Sequence, residues 1–329
     1  MSETIALTAF TEKGRALAGR LAKALGGSVR GMDQPLADWT RESFAACDAL
    51  VFVGAAGIAV RSIAPYLQSK AADPAVICLD ESGRYVIPIL SGHLGGANAL
   101  ARRLAALTGG EAVITTATDL NGRFAVDLWA KRQDMALLQP ERIKKVSAKI
   151  LRGETVTIDC PWPVIGPAPE LTRLGRGADV VVSYRTQEGG ALQLVPRVLT
   201  LGIGCKRGTG ADTLEAAFQT FCAERGIVPE AIESAASIDL KRDEAGLSRF
   251  CQAHGWPLRF YSAGELRGAP GEFTASAFVE RVTGVDNVCE RAAMLGTDKR
   301  LIEKKYALGG VTFALAERQR EYDWSWQDG

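Results

Sequence analysis

Histidine is almost missing from this chain. Two occur among 329 residues, at 93 and 254, and their separation argues against a histidine-built metal centre. The seven cysteines, at 47, 78, 160, 205, 222, 251 and 289, are odd in number and scattered, without a Cys-x-x-Cys pair. That pattern argues for reduced thiols and against a zinc cluster or a disulfide framework. An excess of either charge is lacking too: 39 Lys and Arg against 38 Asp and Glu provide no bulk basic field for nucleic acid, although a local basic patch for acidic groups stays open. Long hydrophobic runs are absent. The longest uncharged stretch near a strand, Ala49 to Val60, contains two glycines and falls short of the roughly twenty apolar residues that cross a bilayer, so no membrane partner is expected. The N-terminus passes from Met1-Ser-Glu into an alternating apolar segment without a secretory pattern, which leads to the expectation of a cytoplasmic protein.

At 329 residues the chain is long enough for two or three domains with substantial cores, and its 47% hydrophobic content fits an ordinary soluble globular protein. Thr4 to Phe10 reads as strand, Glu12 to Leu25 as helix and Ala49 to Val53 as strand, followed by a glycine turn and another helix. Ala75 to Leu79 and Tyr85 to Leu90 flank Asp80-Glu-Ser-Gly-Arg84, a connection suited to a hairpin, so the sheet is expected to be mixed. Val113 to Thr116 predicts one more strand and Phe124 to Arg132 a helix. From 136 to 196, six prolines interrupt short apolar runs such as Thr155 to Ile158 and Val180 to Tyr184, which suggests a strand-rich module or an irregular linker. The α/β rhythm resumes with Val198 to Ile203 as strand, a glycine loop to Gly210 and Asp212 to Arg225 as helix. Leu258 to Tyr261 and Val311 to Ala316 are further strands, with helices near 243 to 253, 274 to 282 and 286 to 296. The expected architecture is two Rossmann-like three-layer α/β domains with mixed sheets, at 1–135 and 197–320, joined by a small strand-rich module at 136–196 and followed by a tail at 321–329.

The most informative stretch is Ile87-Pro-Ile-Leu-Ser-Gly-His-Leu-Gly-Gly-Ala-Asn98, which joins an apolar strand to a helix through three glycines and one of the two histidines. Gly92, Gly95 and Gly96 leave little bulk to keep a ligand from the backbone, and helix N-termini favour anions. Val53-Gly-Ala-Ala-Gly-Ile-Ala-Val-Arg61 has a similar strand-turn-helix form, which predicts Gly57 and Arg61 on the same rim as His93 and as Thr115, Thr116 and Asp119. Gly54-x-x-Gly57 and Gly202-x-Gly204-x-x-x-Gly208 both miss the dinucleotide fingerprint, which weakens an oxidoreductase reading. In the C-terminal part, Lys206 and Arg207 lie between Gly204 and Gly208, a loop suited to carboxylates. Cys205 has no histidine or acid close in sequence and reads as an inert thiol, and His254 reads as a polar residue in the turn after a helix.

Val53 to Pro65, Lys70 to Val76, Leu90-Ser-Gly-His-Leu-Gly-Gly-Ala-Asn98 and Val113-Ile-Thr-Thr-Ala-Thr-Asp119 together resemble the cobalt-precorrin-5A hydrolase family of cobalamin biosynthesis, in the same order. Gly202-Ile-Gly-Cys-Lys-Arg-Gly-Thr209, Ser237-Ile-Asp-Leu-Lys241, Asp243-Glu-Ala-Gly-Leu247 and Val288-Cys-Glu-Arg-Ala-Ala293 resemble its C-terminal domain. Ala56 stands where many relatives are expected to have Thr, so a hydroxyl there is not assigned a role.

The resemblance implies a hydrolase of the anaerobic route to the corrin ring. Its substrate would be a cobalt macrocycle with carboxylate arms and a fused δ-lactone, converted to cobalt-precorrin-5B with loss of acetaldehyde. Cobalt would arrive within the substrate, so no cofactor or resident metal is expected. His93 is the candidate base, because an imidazole exchanges protons near neutral pH, with Asp119 and Glu290 as alternatives. Gly57, Arg61, Ser91, Gly92, Gly95, Gly96, Asn98, Thr115, Thr116, Gly204, Lys206, Arg207, Gly208, Thr209 and Lys241 are the expected substrate contacts. A cleft shared by the His93 rim and the Lys206-Arg207 loop, or that loop of a second copy in a homodimer, is the expected binding place. The competing reading is a non-catalytic tetrapyrrole carrier that shields an unstable intermediate.

Overall fold

The computed structural model describes residues 3–68, 72–92, 95–116, 123–296 and 299–326. His93 and Asp119 lie outside the described residues. The chain is a mixed α/β protein whose contacts divide it into two compact units, residues 1–131 with 147–154 and 326–329, and residues 132–146 with 155–325.

The first unit is built on strands β1 (Ile5–Ala9), β2 (Ser28–Val29), β3 (Ala49–Val53), β4 (Ala75–Leu79), β5 (Tyr85–Leu90) and β6 (Glu111–Ala112), in the order β2-β1-β3-β4-β5-β6. Strands β1 to β4 are parallel, and β3 and β4 are buried at every position. Burial on both faces explains why they read as unbroken apolar runs rather than as alternating ones. Helices α1 (Glu12–Leu25) and α4 (Ala97–Thr108) cover one face, and α2 (Leu36–Ala46) and α3 (Ala56–Ile63) cover the other. The ends of α1 follow from its sequence: the Thr11 hydroxyl accepts the Gly14 N–H at 3.0 Å, and Gly26 closes the helix at φ 71°.

Between β4 and β5 the Asp80 carboxylate accepts the N–H of Ser82 at 2.9 Å and of Tyr85 at 2.7 Å, while Gly83 adopts φ 73°. This turn sends β5 back antiparallel to β4, and β6 then runs parallel with β5. The predicted strand at 113–116 is irregular backbone after the two-residue β6. Helices α5 (Val126–Arg132) and α6 (Ile143–Leu151) follow.

In the second unit, β7 (Met135–Leu138), β8 (Val156–Asp159), β10 (Thr172–Leu174), β11 (Val180–Val182) and β12 (Leu192–Pro196) form a sheet in the order β10-β8-β11-β12-β7. All its pairs are parallel except β12 with β7. The short β9 (Val164–Ile165) pairs with β18 (Tyr322–Asp323), and Tyr322 and Trp324 are buried, so the tail segment from 321 is built into the fold.

The other sheet has the order β15-β14-β13-β17-β16, from β13 (Leu199–Cys205), β14 (Ile232–Ile238), β15 (Leu258–Tyr261), β16 (Lys299–Leu308) and β17 (Val311–Arg318). Helix α7 (Ala211–Arg225) brings Phe218 against Phe313 of β17 and against Phe250 of α8 (Ala245–Ala253), with ring centroids 5.9 and 5.7 Å apart. The remaining helices are α9 (Ala263–Arg267), α10 (Ala277–Thr283) and α11 (Cys289–Met294). Gly202 lies in register with Ala236 and Ala314, and a β-carbon on Gly202 would stand 1.8 Å from the Cys289 carbonyl oxygen. These small residues let α11 press onto the sheet.

Candidate functional site

Backbone bonds tie Ser91 and Gly92 to Ala97 and Asn98. Ser91 takes φ 57°, its hydroxyl donates to the Asp73 carbonyl at 2.9 Å, and its carbonyl accepts the Ala97 N–H at 3.1 Å. The Asn98 N–H reaches the Gly92 carbonyl at 3.0 Å. A β-carbon on Gly92 would stand 2.9 Å from the Asn98 Oδ1 and press on that side chain, and one on Gly95 would stand 2.3 Å from the Ser91 Cβ, so the closure requires glycine at 95. The helix-start donors of Ala97 and Asn98, expected to be open to an anion, are therefore consumed by the turn. Buried Asn98 donates from Nδ2 to the Thr116 hydroxyl at 2.8 Å, which holds the segment after β6 beside the turn. Thr115 is exposed next to it.

Gly96, at φ 84°, precedes α4, and the Lys131 ammonium stands 3.5 Å from the place a β-carbon there would take. Lys131 had no signal in the sequence, where it is one more cation near a helix end. Asp73 was missed as well. Its carboxylate receives the Gln68 N–H at 3.0 Å, while its carbonyl receives the Ser91 hydroxyl.

Gly57 and Arg61 require a correction. Leu90 pairs with Val76 at the start of β4, whereas Gly54 follows β3 and donates its N–H to Leu79 at the end of β4. The antiparallel β5 therefore delivers Ser91 to the sheet edge opposite Gly57, roughly 13–16 Å of strand away. The Arg61 guanidinium folds onto its own helix and donates to the Gly57 carbonyl at 3.2 Å.

In the second unit, Gly204 lies in β13 itself, and Lys206, Arg207, Gly208, Thr209 and Lys241 follow the ends of the parallel strands β13 and β14. Lys206 donates its N–H to the Gly310 carbonyl at 3.2 Å, and its stem passes 2.8 Å from the β-carbon position of Gly310. The Thr209 hydroxyl donates to the Lys206 carbonyl at 2.8 Å, so it braces the loop. Glu244, part of the Asp243-Glu-Ala-Gly-Leu247 stretch, receives the Gly208 N–H at 2.8 Å and the Lys241 ammonium at 3.1 Å. Burial pushes the Cys205 thiol above its ordinary value, which disfavours the nucleophilic thiolate. His254 stacks on Trp256 at 4.1 Å and bonds Glu215 at 2.7 Å, a packed position at the end of α8.

Glu290 is fully buried. Its two oxygens accept the Thr274 N–H at 2.8 Å and the Lys305 N–H at 2.6 Å, and its own N–H is held by the Asn287 side chain at 2.9 Å. A carboxylate engaged on both oxygens inside the fold braces α11 against β16, and this geometry withdraws Glu290 from the candidate bases. A groove of about 510 Å³ lined by Trp162, Arg300, Glu317 and Arg320 contains none of the candidate residues. Among the described residues, no group of three or more His, Cys, Asp or Glu side chains could hold a metal ion, and no helix is long and apolar enough to cross a membrane.

Family models for the cobalamin synthesis G N-terminal part, the cobalamin biosynthesis central region and the cobalamin synthesis G C-terminus match residues 38–119, 124–222 and 199–316. A Salmonella typhimurium protein named cobalt-precorrin-5A hydrolase is 33% identical over 95% of this chain and 97% of its own length. The chain belongs to the cobalamin synthesis G family.

Membership in the cobalamin synthesis G family places the protein in cobalamin biosynthesis. A Priestia megaterium member, also named cobalt-precorrin-5A hydrolase, is 34% identical over 81% of this chain and 78% of its own. The solved structure of a cobalamin biosynthesis protein G homologue from Sulfolobus solfataricus aligns with TM-score 0.42 at 23% identity, covering 96% of this chain and 97% of that one. The 91–98 turn and Thr116 fall within the N-terminal match, and the loop carrying Lys206 and Arg207 falls within the C-terminal match.

Proposed function

We propose that this protein is a cobalt-precorrin-5A hydrolase, which opens the δ-lactone of a cobalt corrinoid and releases acetaldehyde to leave cobalt-precorrin-5B. The observation that carries the reading is the end-to-end similarity to the Salmonella enzyme of that name, at 33% identity over 95% of this chain. In this reading water adds to the lactone carbonyl as a base takes its proton, and the ring C–O bond breaks to free an alkoxide on the two-carbon bridge. The alkoxide closes to the carbonyl of acetaldehyde as the adjoining C–C bond breaks, and that electron pair passes into the conjugated macrocycle, which then takes up a proton.

His93 is the proposed base, which in sequence lies between Gly92 and the Gly95–Asn98 stretch. Asp119, the other candidate base, remains the alternative. Lys206 and Arg207 are assigned to substrate carboxylates, since charge-assisted bonds to carboxylates are strong and both side chains are exposed. Cobalt enters and leaves as part of the substrate, and water is the other reactant. Anaerobic incubation with cobalt-precorrin-5A, mass analysis of the corrinoid and trapping of the aldehyde test the reading. Equimolar acetaldehyde and cobalt-precorrin-5B are expected. Tight corrinoid binding without aldehyde would replace the enzyme with a carrier.

A further inference from the structure

Glu244 is an acid at a rim assigned to carboxylate binding. It immediately precedes α8 yet makes no side-chain cap bond to that helix. Its carboxylate instead spans the Gly208 N–H and the Lys241 ammonium, with side-chain exposures of 12% for Glu244 and 16% for Lys241. The Gly208 N–H holds the Glu244 carboxyl below its ordinary value. Gly208 has φ 74°, and a β-carbon on Gly246 would stand 2.0 Å from the Thr209 carbonyl oxygen, so the start of α8 is pressed against the same loop. One carboxylate thus joins the loops that follow the adjacent parallel strands β13 and β14.

An unneutralised acid here would repel an incoming carboxylate. Glu244 cancels the charge of half-buried Lys241 and leaves exposed Lys206 and Arg207 as the loop's outward cations. We propose that Glu244 is a positioning residue for polycarboxylate binding: it fixes the 204–210 loop so that Lys206 and Arg207 receive the ligand's carboxylates. The proposal rests on the assignment of that loop to substrate carboxylates.

Electrostatics alone and positioning predict opposite signs. Removing an acid from a basic rim should tighten binding of a polyanion, whereas losing the residue that orders the loop should weaken it. The probe is uroporphyrin, a tetrapyrrole carrying several carboxylates, titrated by fluorescence at fixed salt against the full-length protein. Glu244→Ala is expected to raise its Kd roughly tenfold, the scale of a lost charge-assisted hydrogen bond. Glu244→Gln, which keeps an acceptor for Gly208, should fall between the two. Glu244→Gln also serves alone if Glu244→Ala does not fold, and a Kd at or below the wild-type value in it overturns the proposal.

In a Lys206→Ala, Arg207→Ala background Glu244→Ala should add no further loss, because Glu244 acts through those cations. An unchanged or lowered Kd in Glu244→Ala, additive losses in the combined variant, or no uroporphyrin binding by the wild type would each overturn the proposal. Acetaldehyde release from cobalt-precorrin-5A is read separately. Its absence in the wild type would end the hydrolase reading while the uroporphyrin titration still judges Glu244.

Discussion

Asn98 donates from its Nδ2 to the hydroxyl of Thr116 at 2.8 Å, and this bond ties the turn after β5 to the segment after β6. β5 leaves the sheet where β4 begins, whereas β6 ends beside Val86, and the bond brings Thr116 of the segment after β6 to the residues that follow β5.

Asn98→Ala should therefore lower stability by about 0.5–1.5 kcal/mol, the range for a lost hydrogen bond, and should slow aldehyde release. Thr116→Val should cost a similar amount. If the bond is the shared cause, the double variant loses less than the sum of the single losses. Chemical denaturation of the three proteins measures this coupling, and fully additive losses would mean that the residues act independently.

His93→Ala and Glu290→Gln form a contrasting pair. A positioned general base contributes roughly a hundredfold to ten-thousandfold in rate, so folded His93→Ala should bind corrinoid and lose that factor in single-turnover aldehyde release. Glu290→Gln turns an NH₂ group toward one of two backbone donors, which should cost about 1–3 kcal/mol of stability and leave turnover per folded molecule nearly intact. Normal turnover by His93→Ala would remove the imidazole from the mechanism. A rate collapse in well-folded Glu290→Gln would return Glu290 to it.

Acid sensitivity should trace in part to Asp286. The Arg291 guanidinium donates to its carboxylate at 2.7 Å and holds the carboxyl below its ordinary value near 3.8. A carboxyl depressed in the folded state contributes stability above the unfolded value, and that contribution is lost as pH falls through the folded value. Asp286→Asn should thus be less stable than wild type at neutral pH, with the difference shrinking below about pH 4. Urea midpoints measured between pH 3 and pH 7 check the sign, and a constant difference across that range would exclude Asp286 as a source.

Much of the architecture is legible because buried parallel strands announce themselves: Ala49–Val53 and Ala75–Leu79 occur where the apolar runs predict them. β16 was missed. Its sequence KRLIEKKYAL carries lysines suited to an edge strand, and those charges hide the strand pattern. The cationic loop at Lys206 was readable from adjacent residues, but its Glu244 tether was not, because the contact crosses from one strand-end loop to another. The rim error has a different origin. Asp80-Glu-Ser-Gly-Arg84 predicts a hairpin, a hairpin reverses the strand that delivers Ser91, and the rule that ligands bind beyond the carboxyl ends holds for parallel strands alone.

Arg61 tests that correction directly. It lies beyond the end of β3, at the edge opposite the 91–98 turn, with its guanidinium folded onto the Gly57 carbonyl. An exposed arginine bonded to its own helix contributes little to stability, within about 0.5 kcal/mol for an ordinary surface change. If the chemistry occurs at the Ser91 edge, Arg61→Ala should keep kcat and KM for aldehyde release within roughly twofold, since surface charges more than about 10 Å apart are largely screened at moderate salt. A tenfold rise in KM with kcat preserved would instead place substrate carboxylates at the Gly57 edge. A loss of kcat in that variant would move the chemistry itself there, because remote binding alone does not remove a transition-state contact.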